Sequence, residues 1–196
     1  MKYFKKKYSI GELYITLCKG FRTMKYMSES KKSMELSAEF IERIMLAVTE
    51  VNGCEVCSYA HTKMALEHGM SSDEIQLLLS GSSQRIPGDE LTAILFAQHY
   101  ADSRGNPSCD SWQRVLKVYG EPKAMGILGA TRMIMIGNVS GLALSAFQRR
   151  LKGKPVEKSS IFHELGMILC SVIFLPTAFI HGMISDMLKK PVISCE

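Results

Sequence analysis

The chain has little that would staple it, thread it or turn it into a sheet. Six cysteines (18, 54, 57, 109, 170 and 195) in 196 residues are too few for a scaffold built on disulfides. No period-2 alternation of useful length occurs, so nothing reads as a strand, and no internal repeat stands out. A basic stripe with interleaved aromatics is also missing. The net charge of +5 comes partly from Lys5, Lys6 and Lys7, so nucleic acid is not an expected partner. The start does not read as a secretory signal, because Glu12 and Tyr14 interrupt its apolar run and no small-residue cleavage site follows. A reducing cytoplasm is the expected compartment. There a CxxC pair is more often catalytic, redox-active or metal-binding than structural.

What is present is an ordinary globular composition, 46% apolar and 22% charged, long enough for one domain with a real core. The patterning predicts an all-α chain. Residues 1–30 read as one or two short helices with Ile10, Leu13, Tyr14, Leu17 and Phe21 in a stripe, behind a frayed basic tail at 1–7. Ser37 is the expected cap of a helix to Val51, striped by Phe40, Ile41, Ile44, Met45 and Val48. Asn52-Gly53 breaks it, and a new helix runs from about Cys54 to a left-handed stop at Gly69. Ser71 to Glu74 reads as a capping box with Met70 and Ile75 as its staple. After the loop 80–88 come a helix to about Ser103, one capped by Asp110 and stopped at Gly120, and a long one from Pro122 to Arg150. Gly126, Gly129, Gly137 and Gly141 on that last helix allow a neighbouring backbone to approach closely.

The stretch around which the rest is arranged is Glu42 to Gly69. On a helix, Cys54, Cys57 and His61 share one face, and Glu42 lies one helix earlier on a stripe with Met45 and Thr49. If the two helices fold back across Asn52-Gly53, a carboxylate, two thiols and an imidazole converge. A thiol in a first helical turn feels the N-terminal partial charge, which favours thiolate and points to Cys54 as the more acidic. His61 can hold or shuttle the proton, and Glu42 can remove it. Such a pair suits peroxide reduction through a sulfenic acid, or disulfide exchange with a protein.

Three plainer readings compete. A structural zinc site on Cys54, Cys57 and His61 suffers because Cys54 and His61 stand roughly 10 Å apart along a straight helix, and no second CxxC exists. Both cysteines could instead be small core residues, as expected of Cys18, Cys109 and Cys170. Glu42 taken alone would be a solvated helix residue. Among the other candidates, His68 reads as a helix-end residue, His99 and Trp112 as core or surface, and His163 and His181 as lacking an evident partner.

The spacing Glu42-x11-Cys54-x2-Cys57-x3-His61, followed by His68-Gly69 and Ser72-Asp73-Glu74-Ile75, resembles the AhpD-like proteins of the carboxymuconolactone decarboxylase family. The likeness continues through Gly88–Ala101 and from Tyr119-Gly120 into Thr131–Phe147, covering roughly residues 35–150. The resemblance implies a helical bundle, a homo-oligomer (trimer or hexamer) and alkylhydroperoxidase activity driven by a dithiol. It makes Cys57 the peroxidatic thiol and Cys54 the resolving one, with Glu42 and His61 relaying protons. Helix electrostatics and the family pattern thus favour different cysteines, and Cys57, one turn from His61, is taken as the nucleophile. Relatives often carry a histidine or tyrosine between the two cysteines where this chain has Val56. Family members that decarboxylate a lactone lack the cysteines, and the intact pair argues against that chemistry.

The sequence-level expectation is therefore an antioxidant peroxidase that takes a hydroperoxide and a dithiol reductant or redox protein, with no metal and no cofactor. The alternatives are a thiol–disulfide oxidoreductase or a non-enzymatic redox sensor. The domain is drawn as 1–158, and 159–196 as an apolar helical extension. Residues Leu165 to Ser185 hold no formal charge, with Lys152, Lys154 and Lys158 before them and Lys189-Lys190 after. Pro176 is expected to split that run into two pieces. A buried or intersubunit helix is favoured there, and membrane contact through 165–185 is the minority reading.

Overall fold

Ser9 starts the first helix by exchanging hydrogen bonds with Glu12. Its hydroxyl accepts from the Glu12 N–H, while the Glu12 carboxylate accepts from the Ser9 N–H at 2.7 Å. In this computed structural model, which describes residues 3–154, 156 and 159–194, α1 then runs as one rod, Ile10–Lys32. The described residues form seven helices and no strand, the all-α bundle that the patterning predicts.

The basic tail is not frayed where it is described. Phe4 N–H donates to the Gly53 carbonyl at 2.9 Å, and Lys6 Nζ donates to the Ala101 carbonyl at 2.8 Å. Buried Tyr8 donates to Asn52 Oδ1 at 2.7 Å, and Lys5 pairs with Glu50. The segment thereby clamps the turn that follows α2. Met1 and Lys2 lie outside the described residues.

Helix α2 spans Ala38–Asn52, capped by Ser37 as expected, and Gly53 closes it at φ 75°. That left-handed conformation is easy only for glycine, and it lets α3 (Glu55–Glu67) fold back beside α2. Gly69 follows at φ 92°. Ser71 then caps α4 (Ser72–Leu79) by accepting from Glu74 N–H. The Glu74 carboxylate does not complete the expected box, because Arg43 Nε holds it at 2.7 Å. A small apolar cluster of Leu46, Ala65, Met70, Ile75, Leu78 and Leu79 seals α4 to α2 and α3.

Helix α5 (Leu91–Asp102) leads to α6 (Cys109–Leu151), which is capped by Ser108 rather than Asp110. Gly120 interrupts α6 at φ 72°, ψ 164°, so the expected stop is real but the chain restarts at once, with Pro122 in its first turn. Beyond the interruption α6 is the spine of the molecule, buried by α1, α2, α3 and α5. Its glycines are used unequally. A Cβ on Gly129 would stand 2.8 Å from the Thr23 carbonyl of α1, whereas one on exposed Gly137 would meet only Ile134 of its own helix, at an ordinary 3.8 Å. The Gly137/Gly141 spacing therefore does not work as a pair.

Helix α7 (Ile161–Met187) is continuous through Pro176 and is not two pieces. The proline removes one helical hydrogen bond but breaks nothing. Gly182 lets α7 rest on α1, since a Cβ there would lie 3.0 Å from the Cys18 carbonyl. Lys158, expected to precede this helix in a polar linker, lies outside the described residues, as do 155 and 157.

Candidate active site

The turn at Asn52-Gly53 delivers Cys54 to the N-cap of α3, where its sulfur accepts from the Cys57 N–H at 3.3 Å. The next N–H of that first turn, on Val56, donates to Ser145 Oγ on α6 at 3.2 Å. Two otherwise orphaned donors of the helix are thus used up at the cysteine pair. Cys54 and Cys57 are joined in a disulfide, with Cα atoms 5.3 Å apart. Cys54 is wholly buried and Cys57 is 7% exposed.

Glu42 is brought to the same helix pair from α2. Its Oε2 lies 2.8 Å from His61 Nδ1, a hydrogen bond between side chains that are nearly or partly buried. His61 stands one helical turn beyond Cys57 on α3. The stripe of Glu42, Met45 and Thr49 is buried along its length, so Glu42 is not the solvated helix residue that composition alone favours. Among the described residues, no hydrogen bond joins His61 to either sulfur.

The wall behind the disulfide is Gly141. A Cβ at that position would stand 2.7 Å from Cys54 Sγ and 2.9 Å from Cys57 Sγ. Only a residue without a side chain admits both sulfurs against the α6 backbone. The sequence marks Gly141 as a site of close approach but does not say to what. Ser145, 2% exposed and one turn further along α6, has no sequence signature at all as a partner of α3.

The other candidates fall elsewhere. His68 is exposed and ends α3 through its backbone N–H, not its ring. Exposed His99 accepts from Ser108 N–H at 3.1 Å, Nε2 being the acceptor, and Trp112 is buried in the core. His181, expected to lack a partner, sits 3.2 Å from Tyr14 Oη and 3.5 Å from Cys18 Sγ. Cys18 and Cys170 are free thiols at the edge of the core. Burial pushes the Cys18 thiol up, outweighing the hydrogen bond from Tyr14 that opposes it, so Cys18 is a weak nucleophile. Cys109, expected as a small core residue, is disulfide-bonded. Among the described residues, no group of three His, Cys, Asp or Glu side chains is arranged to hold a metal ion. Two helices, Cys109–Leu151 and Ile161–Met187, are long and apolar enough to cross a membrane, but only the second lies mostly exposed.

Comparison with known proteins bears on the first half of the chain. Neither a curated protein nor a solved structure matches it. A family model does match, over residues 21–94, and its family is the carboxymuconolactone decarboxylase family. That segment contains α2, the Asn52-Gly53 turn, α3 and α4 entire, and with them Glu42, Cys54, Cys57 and His61. Over that stretch the chain is similar to the carboxymuconolactone decarboxylase family.

Proposed function

We propose that the protein is a dithiol hydroperoxidase. The observation that carries the reading is the bonded Cys54–Cys57 pair at the head of α3, with the Glu42–His61 pair on the same two helices. In the reduced enzyme the Cys57 thiolate attacks the terminal oxygen of a hydroperoxide. The O–O bond breaks, the alcohol leaves once it receives a proton, and Cys57 becomes a sulfenic acid. Cys54 thiolate then attacks the Cys57 sulfur, water leaves with a further proton, and the disulfide closes. An external dithiol returns both electrons by exchange, through a mixed disulfide. Hydroperoxide is reduced, the external dithiol is oxidised, and the enzyme ends as it began.

Roles follow from position. Cys57 is the less buried residue of the two and stands one turn from His61, which supports it as the nucleophile. Cys54 is wholly buried at the helix N-cap beside Cys57, and this suits a resolving group that closes the disulfide without meeting substrate. His61 donates to the leaving alkoxide and Glu42 orients its ring through Nδ1. Val56 replaces the polar residue that relatives often carry between the cysteines, so this proton route depends on His61.

The test is stoichiometric. One equivalent of cumene hydroperoxide added to fully reduced protein should yield one equivalent of the alcohol, and the peptide holding Cys54 and Cys57 should lose two hydrogens by mass. Added dithiothreitol should restore it for repeated cycles. A protein that oxidises once and is not turned over by excess dithiol is a sensor, and the proposal fails.

A further inference from the structure

Helix α7 presents to the outside what most proteins bury. Its inward side rests on α1 and α6, with Glu164, Met167, Ala178 and Gly182 buried. Its outward side carries Phe162 (85% exposed), Leu169, Val172 (65%), Ile173, Ile180, Met183, Ile184 and Met187 (78%). At 100° per residue these positions, with Leu165 and Phe179, sweep about 140° of the helix circumference. They extend over roughly 40 Å of helix. Its two acids are withdrawn from that surface. Glu164 is fully buried against Arg150 at 2.9 Å, and Asp186 binds Lys25 Nζ at 2.6 Å.

We infer that this face is a membrane-docking surface, taking an anionic lipid bilayer with α7 lying in its plane. Charge decides against a second copy of the chain. Exposed Lys152 and Lys154 precede the helix, Lys189 and Lys190 follow it, and Lys7 shares a cavity with His163 at its head. Two copies pairing through α7, parallel or antiparallel, would set cations against cations, with no acid free on the face among the described residues to offset them. An anionic headgroup layer answers both ends at once. The helix does not span. Its inner side is packed along α1, which carries Glu12, Lys19, Arg22 and Lys25 and could not follow it into hydrocarbon. The apolar arc sinks to the acyl boundary while α1 and the rest of the bundle stay in water.

The inference does not depend on the dithiol reading, and its test leaves peroxide turnover aside. Full-length protein is floated with vesicles of phosphatidylcholine alone and with vesicles containing one third phosphatidylglycerol, and its solution mass is measured without lipid. Wild type should float with the anionic vesicles. Leu169→Gln/Val172→Gln/Ile180→Gln, three outward positions that touch no core, should stay in solution with an unchanged circular dichroism spectrum. Lys189→Gln/Lys190→Gln should weaken binding roughly tenfold or more, and raised salt should mimic it. Equal recovery with both vesicle types, flotation of the triple variant, or failure of wild type to float overturns the inference. A stable dimer that falls apart in the triple variant, with no vesicle binding, assigns the face to a second copy instead.

Discussion

Glu42 and His61 belong to different helices, and the 2.8 Å contact between Oε2 and Nδ1 is made only because Gly53 turns α3 back along α2. One left-handed residue therefore sets which nitrogen of the imidazole is left for the sulfur side. A carboxylate on Nδ1 leaves Nε2 as the working atom.

If the two act as a unit, their losses should not add. Glu42→Gln and His61→Gln are each expected to slow hydroperoxide turnover roughly 10² to 10⁴-fold. The double variant should be scarcely slower than the worse single one. Steady-state rates for the three variants, with thermal unfolding as a check on the fold, decide it. Full multiplicativity would mean that the two side chains work separately.

Removing the resolving thiol should stop the cycle halfway. In Cys54→Ser, one equivalent of cumene hydroperoxide should leave a sulfenic acid on Cys57, seen as a dimedone adduct by mass spectrometry. Further peroxide should carry it to the irreversible sulfinic acid. An adduct on another cysteine would move the nucleophile.

Gly141 should tolerate nothing larger. In Gly141→Ala the added methyl falls within 3 Å of both sulfurs, so α3 must shift from α6 or the disulfide must move. Overpacking of this kind costs about 1–3 kcal/mol. The unfolding midpoint should fall in oxidised protein, and the dithiol should reoxidise more slowly. Gly137→Ala, at an exposed position of the same helix, should lower neither, since alanine is the better helix former there.

Acid should unfasten the start of α1. Burial alone would push the Glu12 carboxyl up, but hydrogen bonds from Ser9 and Arg104 outweigh it and hold the carboxyl below its ordinary range. A carboxyl depressed in the folded state adds stability that is complete above its unfolded value and is lost as pH falls through the folded one. The urea midpoint of wild type should exceed that of Glu12→Gln at neutral pH, and the gap should close as the solution is acidified below the carboxylate range. A gap that persists unchanged at low pH would place Glu12's effect in packing.

Much of this architecture is legible in the residues because its signals are local. Ser37, Gly53 and Gly69 punctuate the chain by capping and by left-handed geometry, and the helices end where those residues stand. The pairing of Glu42 with His61 was readable as a hairpin, given the Asn52-Gly53 break. What was not readable depends on contacts distant in sequence. Residues 3–8 look like a loose cationic tail until Asn52, Gly53, Glu50 and Ala101 are seen to accept from them. Glu74 completes a capping box by sequence, yet Arg43 takes its carboxylate. Ser145 gives no hint that it serves Val56, 89 positions away. The unbroken course of α7 through Pro176 was hidden because one lost hydrogen bond is outweighed by packing along α1 and α6.

Turnover of cumene hydroperoxide with dithiothreitol, by wild type beside Cys57→Ser, bears on the central claim most directly. The wild type is expected to consume many equivalents per chain, and Cys57→Ser to fall to the uncatalysed rate while keeping its helical spectrum. A Cys57→Ser protein that still turns over at the wild-type rate would contradict the account.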